Sequence, residues 1–372
     1  MQLSVQGYLQ QRKRLNPEIF SYLNREYLMD FYCSNEPNLW KGYLLLAIDG
    51  SKAEVPNSKE NRETFGNSNN QYSKTGCVRA LISGMYDILN HFYLDIEIAH
   101  IGVSENELAK RNLKHLKEMN MKQPILVVFD RGYPSIEFID FLEMKGIHYV
   151  FRLSSNDYIT ERKQMESSDE RVPLKHSSAR LQKIQKRHPK QYERLKKKKE
   201  TLVRISKSTL PSGNELVLMT ELEEEINTKE LADLYYQRWE IEKKYHTLKN
   251  KMKFESVTGK ASIYVYQDFW AQILVYNMIQ DIRKSADEGV TSAGRNNGNK
   301  YPMHTNENIA IGLFKESMIK ILLESETTKR VKKLEELQQE MGCYVLPIRK
   351  LPSKAPKKNS SNKYKNNQKN SF

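Results

Sequence analysis

Cysteine is scarce in this chain: Cys33, Cys77 and Cys343 are the only three in 372 residues. Far apart, they offer neither a disulfide framework nor a Cys-based zinc site. They suit a reducing cytoplasm and are read as packing residues. Long apolar runs are also missing. No stretch approaches the roughly 20 residues that span a bilayer, and the N-terminus lacks the apolar core of a secretion signal. The expectation is a cytoplasmic protein without a membrane partner. No internal repeat is found. Acid is absent from the last stretch, Arg349 to Phe372, which holds Lys, Asn, Ser and Pro and reads as a disordered basic tail.

Positive charge is in excess. Lys plus Arg is 60 against 46 Asp plus Glu, a formal charge of +14. Such a surface favours polyanionic partners. The length suffices for one catalytic core, an insertion and a C-terminal helical segment.

Against that background, three acidic positions stand out. Asp49 closes the apolar run Tyr43-Leu44-Leu45-Leu46-Ala47-Ile48 and precedes Gly50-Ser51. Asp130 closes Ile125-Leu126-Val127-Val128-Phe129 and precedes Arg131-Gly132-Tyr133-Pro134. Short apolar runs bounded by turn signals read as buried strands. The nearby glycines are expected to let the backbone turn and leave room for a ligand. If the strands are parallel neighbours, they lie about 4.8 Å apart and present both carboxylates at one sheet edge. The third acid is Glu242, within Tyr235 to Lys249 (YYQRWEIEKKYHTLK). On an α-helix, Tyr235, Arg238, Glu242 and Lys249 fall within roughly 60° of one another, on a stripe about 20 Å long. Such stripes are most often solvated faces. Here the stripe supplies one more carboxylate, with cations and a phenol suited to phosphates. Three carboxylates could hold two Mg²⁺ ions, because hard divalent cations take oxygen ligands, and such a pair stabilises an in-line phosphoryl transfer.

The remaining pattern supplies a frame. Pro56 to Ser73 is Asn/Ser-rich and reads as a loop. Val78–Tyr86 and Phe92–Ile98 read as a hairpin. Ser104 with Glu107 opens a helix over 104–119 in a capping-box pattern. A short helix from Ser135 to Lys145 ends at Gly146, and a strand follows from His148 to Leu153. The order β–β–β–α–β–α–β predicts a mixed α/β sheet flanked by helices, and it resembles the ribonuclease-H-like fold. In that fold the first and fourth strands are neighbours.

These residues together resemble the DDE transposases of the insertion-sequence IS-four family. The family signature Y-x2-R-x3-E-x6-K is met by Tyr235, Arg238, Glu242 and Lys249. Its D-G-[ST] context is met by Asp49-Gly50-Ser51, and its D-R-G-[YF] context by Asp130 to Tyr133. The stretch Val257-Thr258-Gly259-Lys260, with the helix through Phe269, Trp270, Leu274, Tyr276 and Asn277, looks like the family's region after the glutamate. The resemblance covers roughly residues 8 to 285.

The resemblance implies a transposase that cleaves transposon ends and joins them to target DNA. Asp49, Asp130 and Glu242 would be the catalytic and metal-binding acids, holding two Mg²⁺ ions, with Mn²⁺ as a substitute. Tyr235, Arg238, Lys249 and Arg131 would contact DNA phosphates. Double-stranded DNA, both transposon ends and target, would be the substrate. A homodimer would act in a synaptic complex, and the protein would be associated with the nucleoid. The implied organisation is a remnant of an N-terminal helical DNA-binding region over 1–40 and a catalytic core over 41–153 and 228–285. A basic, mostly β insertion would fill 154–227, with a C-terminal helical segment over 286–348 and the tail over 349–372. The insertion carries the basic run RLQKIQKRHPKQYERLKKKK, read as a solvated surface or a phosphate contact. None of Trp40, Trp239 and Trp270 lies in it, so a base-stacking role there would fall to Tyr158 or Tyr192. Trp239 and Trp270 are read as packing residues. Ser285 to Asn308 reads as a loop. The alternatives are a truncated remnant that only binds DNA or inhibits a longer copy, and a ribonuclease-H-type nuclease, which has no need of the Tyr/Arg/Glu/Lys set.

Overall fold

The computed structural model describes residues 4–68, 76–210, 213–292 and 299–348. The tail expected over 349–372 lies outside them. The chain divides into a unit over residues 1–281 and a second over 282–372.

In the first unit, helices α1 (Val5–Arg12) and α2 (Glu18–Ser34) precede strand β1 (Leu44–Glu54). Helix α3 (Lys59–Phe65), β2 (Asn67–Ser68), β3 (Cys77–Asp87) and β4 (Tyr93–His100) follow. Then come α4 (Glu105–Glu118), β5 (Ile125–Phe129), α5 (Ile136–Lys145) and β6 (His148–Arg152). β1 pairs antiparallel with β3, and β3 with β4, whereas β1, β5 and β6 run parallel. The spatial order β4-β3-β1-β5-β6 is that of the ribonuclease-H-like fold, with the first strand central. β1 and β5 read as unbroken apolar runs because the sheet is covered on both faces. On one face, Leu44, Leu46, Ile48, Val127 and Phe129 join Leu28 and Phe31 of α2, Leu113 of α4 and Phe138 of α5. On the other, Tyr93 meets the rings of Tyr245 and Tyr276.

The segment over 154–227 is no separate body. Helix α6 (Ile159–Lys163) leads to β7 (Asp169–Lys175), α7 (Ser178–Arg187), α8 (Pro189–Lys198), β8 (Glu200–Thr209) and β9 (Glu215–Thr220). β9 pairs antiparallel with β6, so β9, β8 and β7 prolong the central sheet. The basic run forms the helices α7 and α8. Their Leu181, Ile184 and Leu195 pack with Ile136 of α5. Arg194 pairs with Asp140, and Lys198 with Glu143 at 2.6 Å. On β8, the buried Arg204 holds Asp169 of β7 through Nε at 2.7 Å and Nη2 at 2.6 Å.

Helices α9 (Thr228–Gln237) and α10 (Trp239–His246) then run into a single π turn over Thr247–Lys251, followed by the long helix α11 (Ser262–Ser292). A full capping box starts α9, with Asn227 and Glu230 bonding reciprocally. The second unit holds β10 (Met303–Thr305), α12 (Glu307–Leu322), α13 (Thr327–Cys343) and β11 (Val345–Pro347). Within it, Arg283 reaches the Thr305 hydroxyl at 3.2 Å and Glu307 at 3.4 Å.

Several expectations need correction. Asp49 does not end its strand: β1 continues to Glu54, paired with β3 from Asp49↔Gly84 to Glu54↔Arg79. The loop expected over 56–73 contains α3 and β2, and its residues 69–73 lie outside the described ones. The loop expected from Ser285 is helical as far as Ser292. Cys33 and Cys343 are exposed rather than packed. Trp239 is 44% exposed and so lies outside the core, its ring packing instead on the Arg238 guanidinium. Trp270 does pack, stacked on Tyr266, and its Nε1 donates to the Ile96 carbonyl at 3.2 Å. Tyr192 packs against the α7–α8 cluster, and the Arg180 guanidinium covers the Tyr158 ring.

Candidate active site

The register of two parallel strands sets the first contact. Ile48 of β1 pairs with Phe129 of β5, so Asp49 and Asp130 are the next residues on adjacent strands. The α9–α10 segment lies over them and is pinned at both strands. The Tyr235 hydroxyl donates to Asp130 Oδ1 at 2.8 Å. Ten residues on, the buried Tyr245 hydroxyl donates to the Asp49 carbonyl at 2.7 Å and accepts from the Gly84 amide at 2.7 Å. Gly84 has to be glycine for this approach, because a Cβ there would stand 2.9 Å from Tyr245 Oη.

Glu242 lies between those two anchors. Arg238 Nη2 pairs with its Oε1 at 2.8 Å. Arg238 is 2% exposed and sits between the rings of Tyr235 and Trp239, at 5.5 and 5.2 Å. The field at Asp49 shows which groups surround it. Burial pushes its carboxyl up to about 7; Arg238 opposes the rise, and Glu242 and Glu105 add to it. Arg238 in turn feels Asp130.

The stripe is not one regular α-helix. Around Arg238 the backbone tightens to i−3 hydrogen bonds, and the π turn shifts the register of Lys249. Lys249 Nζ donates to Ser51 Oγ at 2.8 Å and to the Lys52 carbonyl at 2.6 Å. It therefore meets the strand just past Asp49. Burial pushes its ammonium pKa down. Arg131 is exposed beside Asp130, with no ion pair among the described residues.

Two buried polar atoms at this place lack a hydrogen-bond partner among the described residues: Tyr133 Oη and Arg238 Nε. The carboxylate oxygens suit a hard cation, and these unpaired donors suit the anionic ligands that such a cation brings. The acids are not drawn tightly together. The one group of metal-type ligand atoms all within 4.8 Å of one another, among the described residues, is Asp95, Glu97 and His115 on β4 and α4. That group binds inward instead: Asp95 accepts from Asn112 at 3.0 Å and lies 3.0 Å from His115 Nδ1.

Sequence reasoning missed Tyr245, Gly84 and Glu105. Tyr245 stands one turn past Glu242 on the same helix, and that spacing was the available signal. Gly84 and Glu105 carried none.

The fold and this arrangement of acids define the class. A family model described as the transposase DDE domain matches residues 40–278, and the chain belongs to that family. Within it, the chain is similar to the transposase InsG for insertion sequence element IS4 of Escherichia coli (strain K12), at 23% identity over 278 residues. The match takes in 73% of this chain and 59% of InsG, so the chain spans less than two thirds of that relative's length. Among solved structures, a piggyBac transposase synaptic complex with hairpin DNA aligns with 88% of this chain and 61% of its own, at 10% identity and a TM-score of 0.43.

Proposed function

We propose that this chain is the catalytic part of a DNA transposase, cutting transposon ends and joining them to target DNA. The observation that carries the reading is the alignment of Asp49 with Asp130 across two parallel strands, under the segment that bears Glu242. Asp49, Asp130 and Glu242 would hold two Mg²⁺ ions, with Mn²⁺ as a substitute. Bound there, the ions would lower the pKa of water and of a 3′-hydroxyl and offset charge at the scissile phosphate.

The side chains around the acids have separate tasks. Arg238, held between two rings, keeps Glu242 in place and sets its positive charge beside the acids, where a phosphate would lie. Tyr235 fixes the Asp130 carboxylate by its hydrogen bond. Lys249 holds Ser51 and offers its ammonium to DNA at the same edge. Arg131 is exposed and free to grip the backbone. The exposed basic face of α7 and α8 extends the positive surface along the duplex, giving salt-sensitive affinity. A homodimer engaging two element ends is the assembly this reading carries with it.

The test is a DNA end bearing the cognate inverted repeat, incubated with the chain and Mg²⁺ beside an RNA–DNA hybrid. Cleavage of the DNA end alone is expected. Cleavage of the hybrid alone would make the chain a ribonuclease-H-type nuclease. Binding of the end without any cut would make it a DNA-binding remnant.

A further inference from the structure

Glu105 is the first residue of α4. A carboxylate in the first turn of a helix favours the helix dipole, and that is its ordinary explanation. Glu107 already serves that end, and it lies on the Arg111 side, 3.7 Å from Nε. Glu105 points elsewhere. A Cβ on Gly50 would lie 2.7 Å from Glu105 Cδ and 2.8 Å from Oε1; one on Gly132 would lie 3.7 Å from Oε2. The carboxylate thus covers the residue after Asp49 and reaches toward the loop after Asp130. It has no hydrogen-bond or ion-pair partner among the described residues. It remains open to solvent, as a group meeting an ion and a DNA phosphate must be.

A second observation comes from a different side chain. Tyr133 is 1% exposed, and its hydroxyl has no hydrogen-bond partner among the described residues. Burial acts most on that phenol, pushing its pKa up, and Asp49, Glu105, Tyr245 and Asp130 push it the same way. A buried donor left unpaired beside several acids is the kind of group that a bound ligand or its water satisfies.

We propose that Glu105 is a fourth carboxylate of the acid pocket and takes part in holding the divalent ion at Asp49 and Asp130. This rests on the reading of those two acids as metal ligands. It also gives Gly50 a reason: within a regular strand no turn requires glycine, and any side chain there would displace Glu105.

The test is Mn²⁺ binding to the full chain without DNA, counted by electron paramagnetic resonance of free Mn²⁺. Wild type, Asp49→Asn, Glu105→Gln, Gly50→Ala and Glu107→Gln are compared. Glu105→Gln is expected to weaken at least one site tenfold or more, Gly50→Ala to weaken it in the same direction, and Glu107→Gln to leave it unchanged. Melting in EDTA separates binding from folding: Glu105→Gln should melt no lower than wild type, since it removes a charge beside Asp130. Wild-type binding by Glu105→Gln with loss in Asp49→Asn would overturn the proposal alone. Wild-type binding by both variants would overturn the reading of the acid pocket as well.

Discussion

The Tyr235 hydroxyl donates to Asp130 Oδ1 at 2.8 Å across 105 residues of chain. This bond ties the start of the Glu242-bearing segment to the parallel strand β5. Because Asp130 follows directly on Phe129, the bond also fixes the carboxylate at the carboxyl end of that strand, where α/β sheets place ligands. Replacing Tyr235 by Phe removes the donor and keeps the ring under Arg238. We expect a stability loss of about 0.5–1.5 kcal/mol and a larger loss of DNA cleavage than of DNA binding. Denaturant unfolding and paired cleavage and binding assays check this; equal loss in both assays would contradict it.

Tyr245 holds the other end. Its hydroxyl is buried and serves both Gly84 and the Asp49 carbonyl. Tyr245→Phe leaves a buried amide and a carbonyl short of a partner, at a cost of about 1–3 kcal/mol. Gly84→Ala puts a methyl 2.9 Å from Tyr245 Oη and from Tyr93 Cε1, and overpacking of this kind costs about 1–3 kcal/mol. The two changes act on one contact, so the double variant should lose less than the sum of the single ones. Additive losses in urea titrations would show that the contact is not shared.

Lys183, Lys186, Arg187, Lys190 and Lys197 are exposed on α7 and α8 and have no ion pair among the described residues. Changing them to Gln should lower DNA affinity for every sequence alike. The log–log salt dependence should flatten by about 0.9 for each DNA phosphate that is no longer neutralised. Arg194, which is paired with Asp140, should instead affect stability. An unchanged salt slope would place DNA elsewhere.

Stability should depend on pH through the β4–α4 cluster and through Asp87 at the end of β3. Glu97 is pushed up to about 7, first by burial and then by Asp95. His115 is raised, first by its hydrogen bond to Asp95. Asp87 is pushed up to about 6 by burial. A carboxyl raised in the folded state binds more protons there than in the unfolded chain, so stability falls as pH climbs from the ordinary carboxylate range through the folded value. The charged His115 stabilises fully below the ordinary imidazole pKa of about 6.5, and that stabilisation is lost as pH rises through its folded value. All three groups act in one direction. Melting of the metal-free chain should fall between about pH 5 and pH 8, with a shallower fall above the imidazole range in His115→Gln. A midpoint that rises over this interval would contradict the assignment.

Much of the core was legible because burial on both faces of β1 and β5 leaves continuous apolar runs in the sequence. The hairpin β3–β4 and the caps at Ser104 and Gly146 were legible from local chemistry. Asp49 was misplaced at a strand end because Gly50 resembles a turn signal; its smallness answers to Glu105, a residue far off in the chain. The stripe from Tyr235 to Lys249 assumed one regular helix, and a π turn leaves no periodic mark. Glu105 was unreadable for a related reason: an acid in a helix's first turn has an ordinary local explanation, and only the tertiary placement of α4 turns it toward Gly50 and Gly132. The run of cations over α7 and α8 hid an apolar stripe, Leu181, Ile184 and Leu195, that docks on α5.

The central claim is that Asp49, Asp130 and Glu242 act together on DNA through divalent ions. Its most direct test is single-turnover nicking of a DNA end carrying the matching repeat, with Mg²⁺ or EDTA, by wild type and by Asp49→Asn, Asp130→Asn and Glu242→Gln. The account predicts nicking by wild type with Mg²⁺, none in EDTA, and a loss of at least about 10²-fold in each variant, each still folded. Wild-type rates in any of the three variants, or nicking that persists in EDTA, would contradict it.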